Sequence, residues 1–120
     1  MSHAIVWLDN KHAKIFEFTE HTKEGHKVDR KEHHTHHHTD GAGKEDEKKY
    51  FHKLTSDLSH FKEILLVGPG LGKEHFKKYL EEHNKEVAKH IIGVETVDHP
   101  TDNELVALAK KVFKAHHILI

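Results

Sequence analysis

The chain has 120 residues, of which 32% are charged, 35% hydrophobic and 8% aromatic, and it contains no cysteine. One domain over residues 1–120 is expected at this length, and neither a disulfide nor a thiol nucleophile can be present. The 19 lysines and arginines are balanced by 20 aspartates and glutamates, which argues against a general polyanion binder. Because no apolar run reaches the roughly 20 residues of a membrane span, a soluble, cytoplasmic protein without membrane contact is expected.

The unusual feature of the composition is its 17 histidines. At an ordinary pKa of about 6.5, roughly a quarter of them are protonated at pH 7 and about three quarters at pH 6. The net charge is therefore expected to rise from roughly +3 to roughly +12 over that single pH unit. Such a chain carries little net charge at pH 7 and is strongly basic at pH 6.

The first part of the chain predicts three strands. Residues 4–9 are a short apolar run, typical of a strand buried on both faces. Residues 14–19 mix β-branched, aromatic and polar side chains, and the polar residues 10–12 between the two runs predict a hairpin turn. A third, mostly exposed strand is predicted over residues 27–33.

The stretch from Glu32 to Gly43 contains no apolar residue larger than Ala42. It has nothing to bury, so a mobile, His-rich loop is expected at about residues 32–44.

The remainder of the chain alternates predicted helices and strands. An apolar stripe over residues 50–61 predicts a helix, residues 63–67 a buried strand, residues 73–84 a second helix and residues 90–97 another strand. Residues 101–104 form a capping-box sequence that begins the last helix. The order β-β-β-α-β-α-β-α predicts an α/β fold with a mixed five-stranded sheet and helices packed on its faces.

A glycine-rich turn, residues 68–73, follows the predicted fourth strand and opens a helix. A Walker loop needs four residues between its first glycine and Gly-Lys, followed by Ser or Thr, whereas here three residues intervene and Glu74 follows. The dinucleotide fingerprint Gly-x-Gly-x-x-Gly does not fit either, because the turn reads Gly-x-Gly-x-Gly. Its free N–H groups could still hold an anion, but a plain strand-to-helix turn is favoured.

The histidines of the predicted loop are candidate metal ligands, since neutral imidazole suits zinc and nickel. They are His33, His34, His36, His37 and His38. Binding of Zn²⁺ or Ni²⁺ by this loop is therefore an alternative function, although no motif requires a cofactor. A solvated loop is the simpler interpretation.

Four carboxylates would be available to a divalent-metal nuclease, a weaker alternative: Asp9, Glu47, Asp98 and Asp102. Asp9 fits the predicted hairpin turn, however, and Asp102 fits a first helical turn. The chain also has no nucleophile-elbow sequence, so we do not expect an enzyme.

Two segments resemble the central domain of the archaeal-eukaryotic class-1 release factors and Pelota. Residues 4–16 are similar to its opening strand pair, and residues 64–70 with four later side chains are similar to its Gly-Pro-Gly segment. Those side chains are Lys73, Phe76, Tyr79 and Leu80. The resemblance covers about residues 3–115 and implies a ribonuclease H-like sheet. The sequence looks like a bacterial stand-alone relative of this group.

In the release factors, the loop after the third strand carries the Gly-Gly-Gln triplet that promotes ester hydrolysis. The matching place here contains Gly41-Ala42-Gly43, and the whole chain lacks glutamine. The resemblance therefore does not imply peptide release. Pelota also lacks the triplet and acts in ribosome rescue, so a link to the ribosome is still implied.

The leading hypothesis is a non-catalytic, translation-associated domain that binds the ribosome or structured RNA; whether the chain forms a homodimer is left open. Protonated histidines would add phosphate contacts and make binding dependent on pH and salt. The candidate binding residues are Lys11, Lys27, Arg30, Lys31, His33, His34, His36, His37, His38, Gly41, Gly43 and Lys44.

Overall fold

A computed structural model describes residues 2–21, 27–36 and 44–116 of the protein. The strands are β1 (Ser2–Leu8), β2 (His12–His21), β3 (Lys27–His36), β4 (Glu63–Gly68) and β5 (Ile91–Thr96). The helices are α1 (Lys44–Leu58), α2 (Gly72–His83), α3 (Lys85–Ala88) and α4 (Asp102–Ala115).

The strands form one mixed sheet in the order β3-β2-β1-β4-β5. The central strand β1 is antiparallel to β2 on one side and parallel to β4 on the other. The outer pairs have the same orientations, because β2 and β3 are antiparallel and β4 and β5 are parallel. The predicted α/β class, with a mixed sheet and helices on its faces, is confirmed.

The core has two layers because successive side chains of β1 point to opposite faces. Ala4, Val6 and Leu8 belong to the layer that α1 and α2 cover. Ile5 and Trp7 belong to the layer that α4 covers. The prediction that the first apolar run is buried on both faces is therefore confirmed.

The third strand is longer than the sequence predicted. Residues 32–36, which we expected in the loop, continue β3 and pair with β2. Their polar side chains carry no apolar alternation, so only the backbone pairing with a neighbouring strand defines them as a strand. The rest of the predicted loop, residues 37–43, lies outside the described residues.

One short helix was not predicted. Val87, beyond the predicted second helix, belongs to α3, a separate helix of four residues. Asn84 separates the two helices, and its side-chain oxygen accepts a hydrogen bond from the backbone N–H of Val87 at 3.1 Å. A capping asparagine thus ends one helix and starts the next.

The capping box at the start of α4 is present as predicted. The backbone N–H of Glu104 donates to the Thr101 hydroxyl at 3.2 Å, and the backbone N–H of Thr101 donates to the Glu104 carboxylate at 3.0 Å. The backbone N–H of Thr101, and to a smaller extent its side chain, form hydrogen bonds with the Glu104 carboxylate that lower the pKa of this group. The ionised Glu104 therefore stabilises the fold above its ordinary pKa, and this contribution is lost as the pH falls through the lowered value.

Replacing Thr101 by alanine removes the hydroxyl that satisfies the N–H of Glu104. We expect the free energy of unfolding to fall by about 0.5–2 kcal/mol, measured as a shift of the urea midpoint. Thr101→Ser, which keeps the hydroxyl, should stay close to the wild type. Coincident midpoints for wild type and Thr101→Ala would show that Thr101 is not an effective cap.

Candidate functional site

The parallel strands β1, β4 and β5 end at the same edge of the sheet, followed by residues 9–11, 69–71 and 97–101. We call this the carboxyl edge. In open α/β sheets, ligands bind beyond the carboxyl ends of the strands, at the point where the strand order reverses. Here the chain continues from β1 to β2 and β3 on one side of the sheet, and from β4 to β5 on the other. The carboxyl edge at β1 is therefore the candidate site.

The turn between β1 and β2 is organised by Asp9. Its Oδ1 accepts hydrogen bonds from the backbone N–H groups of Lys11, at 2.8 Å, and His12, at 2.6 Å. The backbone N–H of Asp9 in turn donates to the carbonyl of His12 at 2.9 Å. The predicted role of Asp9 in the hairpin turn is confirmed, and the turn holds Lys11 and His12 at the carboxyl edge.

The glycine-rich loop after β4 packs directly against this turn. A Cβ atom on Gly68 would lie 2.1 Å from the carbonyl oxygen of Leu8, and one on Gly72 would lie 3.1 Å from the carbonyl carbon of Asp9. Lys73 is buried, and its ammonium donates to the carbonyl of Gly70 at 2.5 Å. The lysine thus fastens the loop itself, which agrees with the plain strand-to-helix turn favoured from the sequence.

Helix α1 is tied to the same turn through Tyr50, whose hydroxyl donates to the Asp9 carbonyl at 3.1 Å. Burial of the ring, and then the charge of Asp9, raise the pKa of Tyr50 well above its ordinary value. The neutral phenol is therefore the form that the fold stabilises, and this contribution persists until the pH exceeds the ordinary tyrosine pKa.

A cleft of about 440 Å³ opens at the carboxyl edge on the α4 side of the β1–β2 hairpin. Trp7 lies in it, and the indole N–H donates to the backbone carbonyl of Asp98 at 3.0 Å. The ring of His99 lies against the indole, with centroids 5.6 Å apart. Lys14, the register partner of Trp7 on β2, also lines the cleft, and its ammonium is 3.0 Å from the Asp102 carboxylate. The cleft thus combines an aromatic surface with both positive and negative groups.

The predicted binding residues are spread along the sheet. Lys11 is exposed in the β1–β2 turn, at the carboxyl edge. On β3, His36 is paired with His12 and His34 with Lys14, which places the end of this strand beside the cleft. Lys27 is paired with His21 at the opposite end of the strand, about 30 Å away at the usual rise per residue.

The remaining predicted residues fall into two groups. Arg30, Lys31 and His33 lie along β3, paired with Phe18, Glu17 and Ile15, and Lys44 is the first residue of α1. His37, His38, Gly41 and Gly43 lie outside the described residues. The β3 positions and the turn therefore approach one another only at the His36 end of the strand.

Sequence reasoning missed the cleft residues Trp7, Lys14 and His99. Each belongs to a different segment, and only the pairing of β1 with β2 and the return of the chain after β5 bring them together. The signals available were a single tryptophan one residue before the end of the first strand and a His-Pro pair before the last helix. Neither signal identifies a cleft without the sheet order.

The carboxylates weighed for a nuclease do not form one cluster. Asp9 holds the hairpin turn and Asp102 pairs with Lys14, whereas Glu47 lines a separate groove between α1 and α2. Within residues 2–21, 27–36 and 44–116, no three His, Asp or Glu side chains are grouped as metal ligands. Metal binding by the five-histidine set stays a prediction, because His37 and His38 fall outside those ranges.

No helix in the described part of the chain is long and apolar enough to cross a membrane.

The sheet order, the glycine loop and the helices of the described residues define a mixed α/β domain. The fold is similar to Pelota from Thermoplasma acidophilum, with a TM-score of 0.68 and 20% identity over 99% of this chain. It is also similar to Pelota from Archaeoglobus fulgidus, with a TM-score of 0.64 and 19% identity over 92% of this chain. An archaeal translation termination factor, aRF1, matches with a TM-score of 0.62 and 18% identity over 98% of this chain.

These likenesses concern one domain of larger proteins. The chain spans 35% and 31% of the two Pelota chains and 36% of aRF1. At such identities the similarity establishes the fold. No protein-family model and no curated protein matches the sequence.

Proposed function

We propose that this chain is a non-catalytic, translation-associated domain that binds the ribosome through RNA contacts at its carboxyl edge. The fold it shares with Pelota and a translation termination factor supports the link to translation. The bacterial origin that the sequence resemblance implied stays a prediction.

The observation that carries the proposal is the convergence at one end of the sheet. The hairpin turn brings Lys11 and His12 there, α4 begins there, and β3 ends there at His36. The region that the resemblance matches to the functional loop of the release factors, residues 32–44, thus begins within β3, which reaches this end of the sheet at His36. Positive groups grouped at one end suit a phosphate backbone even when the fixed charge of the whole chain is near zero.

Cosedimentation with purified ribosomes tests the proposal, with ribosomes from a bacterium and from an archaeon used in parallel. We expect the protein in the ribosomal pellet at low salt and a progressive loss as salt rises, since phosphate contacts release counterions. Adding a chelator selective for Zn²⁺ and Ni²⁺, with Mg²⁺ kept in excess so that the ribosomes stay intact, should leave the pellet unchanged, whereas loss on chelation would favour the metal-binding alternative. Absence from both pellets at low salt and pH 6 would contradict the proposal.

A matched pair of variants locates the contact. Lys11→Gln removes a charge at the carboxyl edge, whereas Lys114→Gln removes one at the far end of α4, next to Phe113, whose ring lies by His3. We expect Lys11→Gln to reduce the slope of log affinity against log salt by about one, and Lys114→Gln to leave it unchanged. Equal slopes for the two variants would remove the carboxyl edge from the interface.

A further inference from the structure

The cleft at the carboxyl edge has a mostly apolar wall. Trp7 is 8% exposed, and Leu105 and Pro100 line the cleft beside it. His99 covers part of the indole, and its side chain is 73% exposed, so most of its surface is open to a ligand. A volume of about 440 Å³ lies within the range of sites that bind small organic molecules.

The polar groups of the cleft include both donors and acceptors. Lys14 and His12 can donate, the Asp9 carboxylate lines the cleft, and the Asp102 carboxylate lies next to it, 3.0 Å from the Lys14 ammonium. The contacts of Asp9 with the turn and of Asp102 with Lys14 engage the Oδ1 atoms, and a carboxylate can accept about four hydrogen bonds. Both carboxylates can therefore accept further hydrogen bonds next to the aromatic wall.

This combination does not suit a bare phosphate, because Asp9 and Asp102 would repel it. A flat heteroaromatic ring that carries N–H groups fits both features, since it stacks on His99 and donates to the carboxylates. Proteins that bind single-stranded RNA use this arrangement, with an unpaired base on an aromatic side chain and positive groups along the backbone. Lys11, exposed in the adjoining turn, is placed to meet that backbone.

We propose that the cleft formed by Trp7, His99 and Leu105 binds one unpaired RNA base, with preference for the amino-bearing bases adenine and cytosine over uracil. The base stacks on His99, and its exocyclic amino group donates to a carboxylate of Asp9 or Asp102. This inference rests on the proposed RNA-binding function and deepens it by naming the part of the RNA that the domain holds.

The single tryptophan of the chain is a built-in reporter for this site. Titration with the heptanucleotides rA₇, rC₇ and rU₇ is followed by Trp7 fluorescence and by the NMR resonance of its indole N–H. We expect saturable changes for rA₇ and rC₇ at lower concentration than for rU₇. Ribose 5-phosphate, which has the sugar and phosphate but no base, should give no saturable change.

His99→Ala should weaken rA₇ binding by about 5- to 100-fold, the usual effect of removing a stacking partner. His99→Phe keeps an aromatic ring without a charge and should restore most of the affinity. The matched control is His52→Ala, an exposed histidine of α1 that lines a groove away from α4 and should bind as the wild type does.

Three outcomes would overturn the inference: an equal response to ribose 5-phosphate, unchanged affinity in His99→Ala, or equal loss in His99→Ala and His99→Phe. Ribosome cosedimentation of the same proteins separates this inference from the proposed function. Cosedimentation without a base-dependent Trp7 signal refutes only the base site. A base-dependent signal that His99→Ala abolishes, without cosedimentation, supports the base site and refutes only the ribosomal function.

Discussion

Gly68→Ala is expected to destabilise the fold by about 3 kcal/mol or more, as a large downward shift of the urea midpoint. The added Cβ would lie 2.1 Å from the carbonyl oxygen of Leu8, and the residue has a φ of +157°. Leu8 is a fully buried residue of the central strand, so its backbone cannot move aside without disturbing both core layers.

Gly70→Ala is the matched control in the same loop. Gly70 also has a positive φ, of +57°, but a Cβ there meets no atom within 4 Å. Only the left-handed backbone conformation is then penalised, at about 1–2 kcal/mol. Equal midpoints for the two variants would show that the loop does not pack against Leu8 as described.

The Gly-Pro-Gly segment of the sequence resemblance therefore has a structural reason in this chain. Gly68 permits the close approach of β4 to the end of β1, and Gly72 permits the approach of α2 to the hairpin turn. Lys73 then closes the loop by binding the Gly70 carbonyl. The motif positions the carboxyl edge, whereas the residues that line the cleft come from other segments.

The parts of the fold with strong local signals could be predicted from the sequence. The apolar run at residues 4–9 predicts β1 because a strand buried on both faces needs apolar residues at every position. Thr101 and Glu104 predict the start of α4 because the capping box involves only neighbouring residues. In both cases the sequence signal lies within a few neighbouring residues.

The end of β3 and the cleft could not be predicted in this way. Residues 32–36 are polar, and their strand conformation depends on hydrogen bonds with β2, a partner distant in the sequence. His99 reaches Trp7 across 92 positions of the chain, which only the sheet order explains. The high histidine content pointed to the cluster of five histidines in the predicted loop. The two histidines that line the cleft, His12 and His99, are not part of that cluster.

The affinity of the protein for ribosomes is expected to rise about tenfold or more as the pH falls from 7.5 to 6. Histidines with an ordinary pKa of about 6.5 go from mostly neutral to mostly charged in this interval. A charged imidazole donates strong hydrogen bonds to phosphate oxygens, whereas a neutral one attracts them weakly. Binding is measured by cosedimentation at each pH, at low and at high salt, and the pH effect should shrink at high salt.

Two variants separate a local effect from the general rise in positive charge. The first replaces with asparagine the histidine cluster of the predicted loop, namely His33, His34, His36, His37 and His38. The second replaces five histidines of the described helices and turns away from the carboxyl edge, namely His52, His60, His83, His90 and His116. Each variant loses five histidines, so the two chains keep the same number of histidines and of all other charged residues. We expect the first to lose most of the pH dependence and the second to keep it. If both variants lose it equally, protonation acts through the total charge of the chain, and the histidine cluster is not the point of contact.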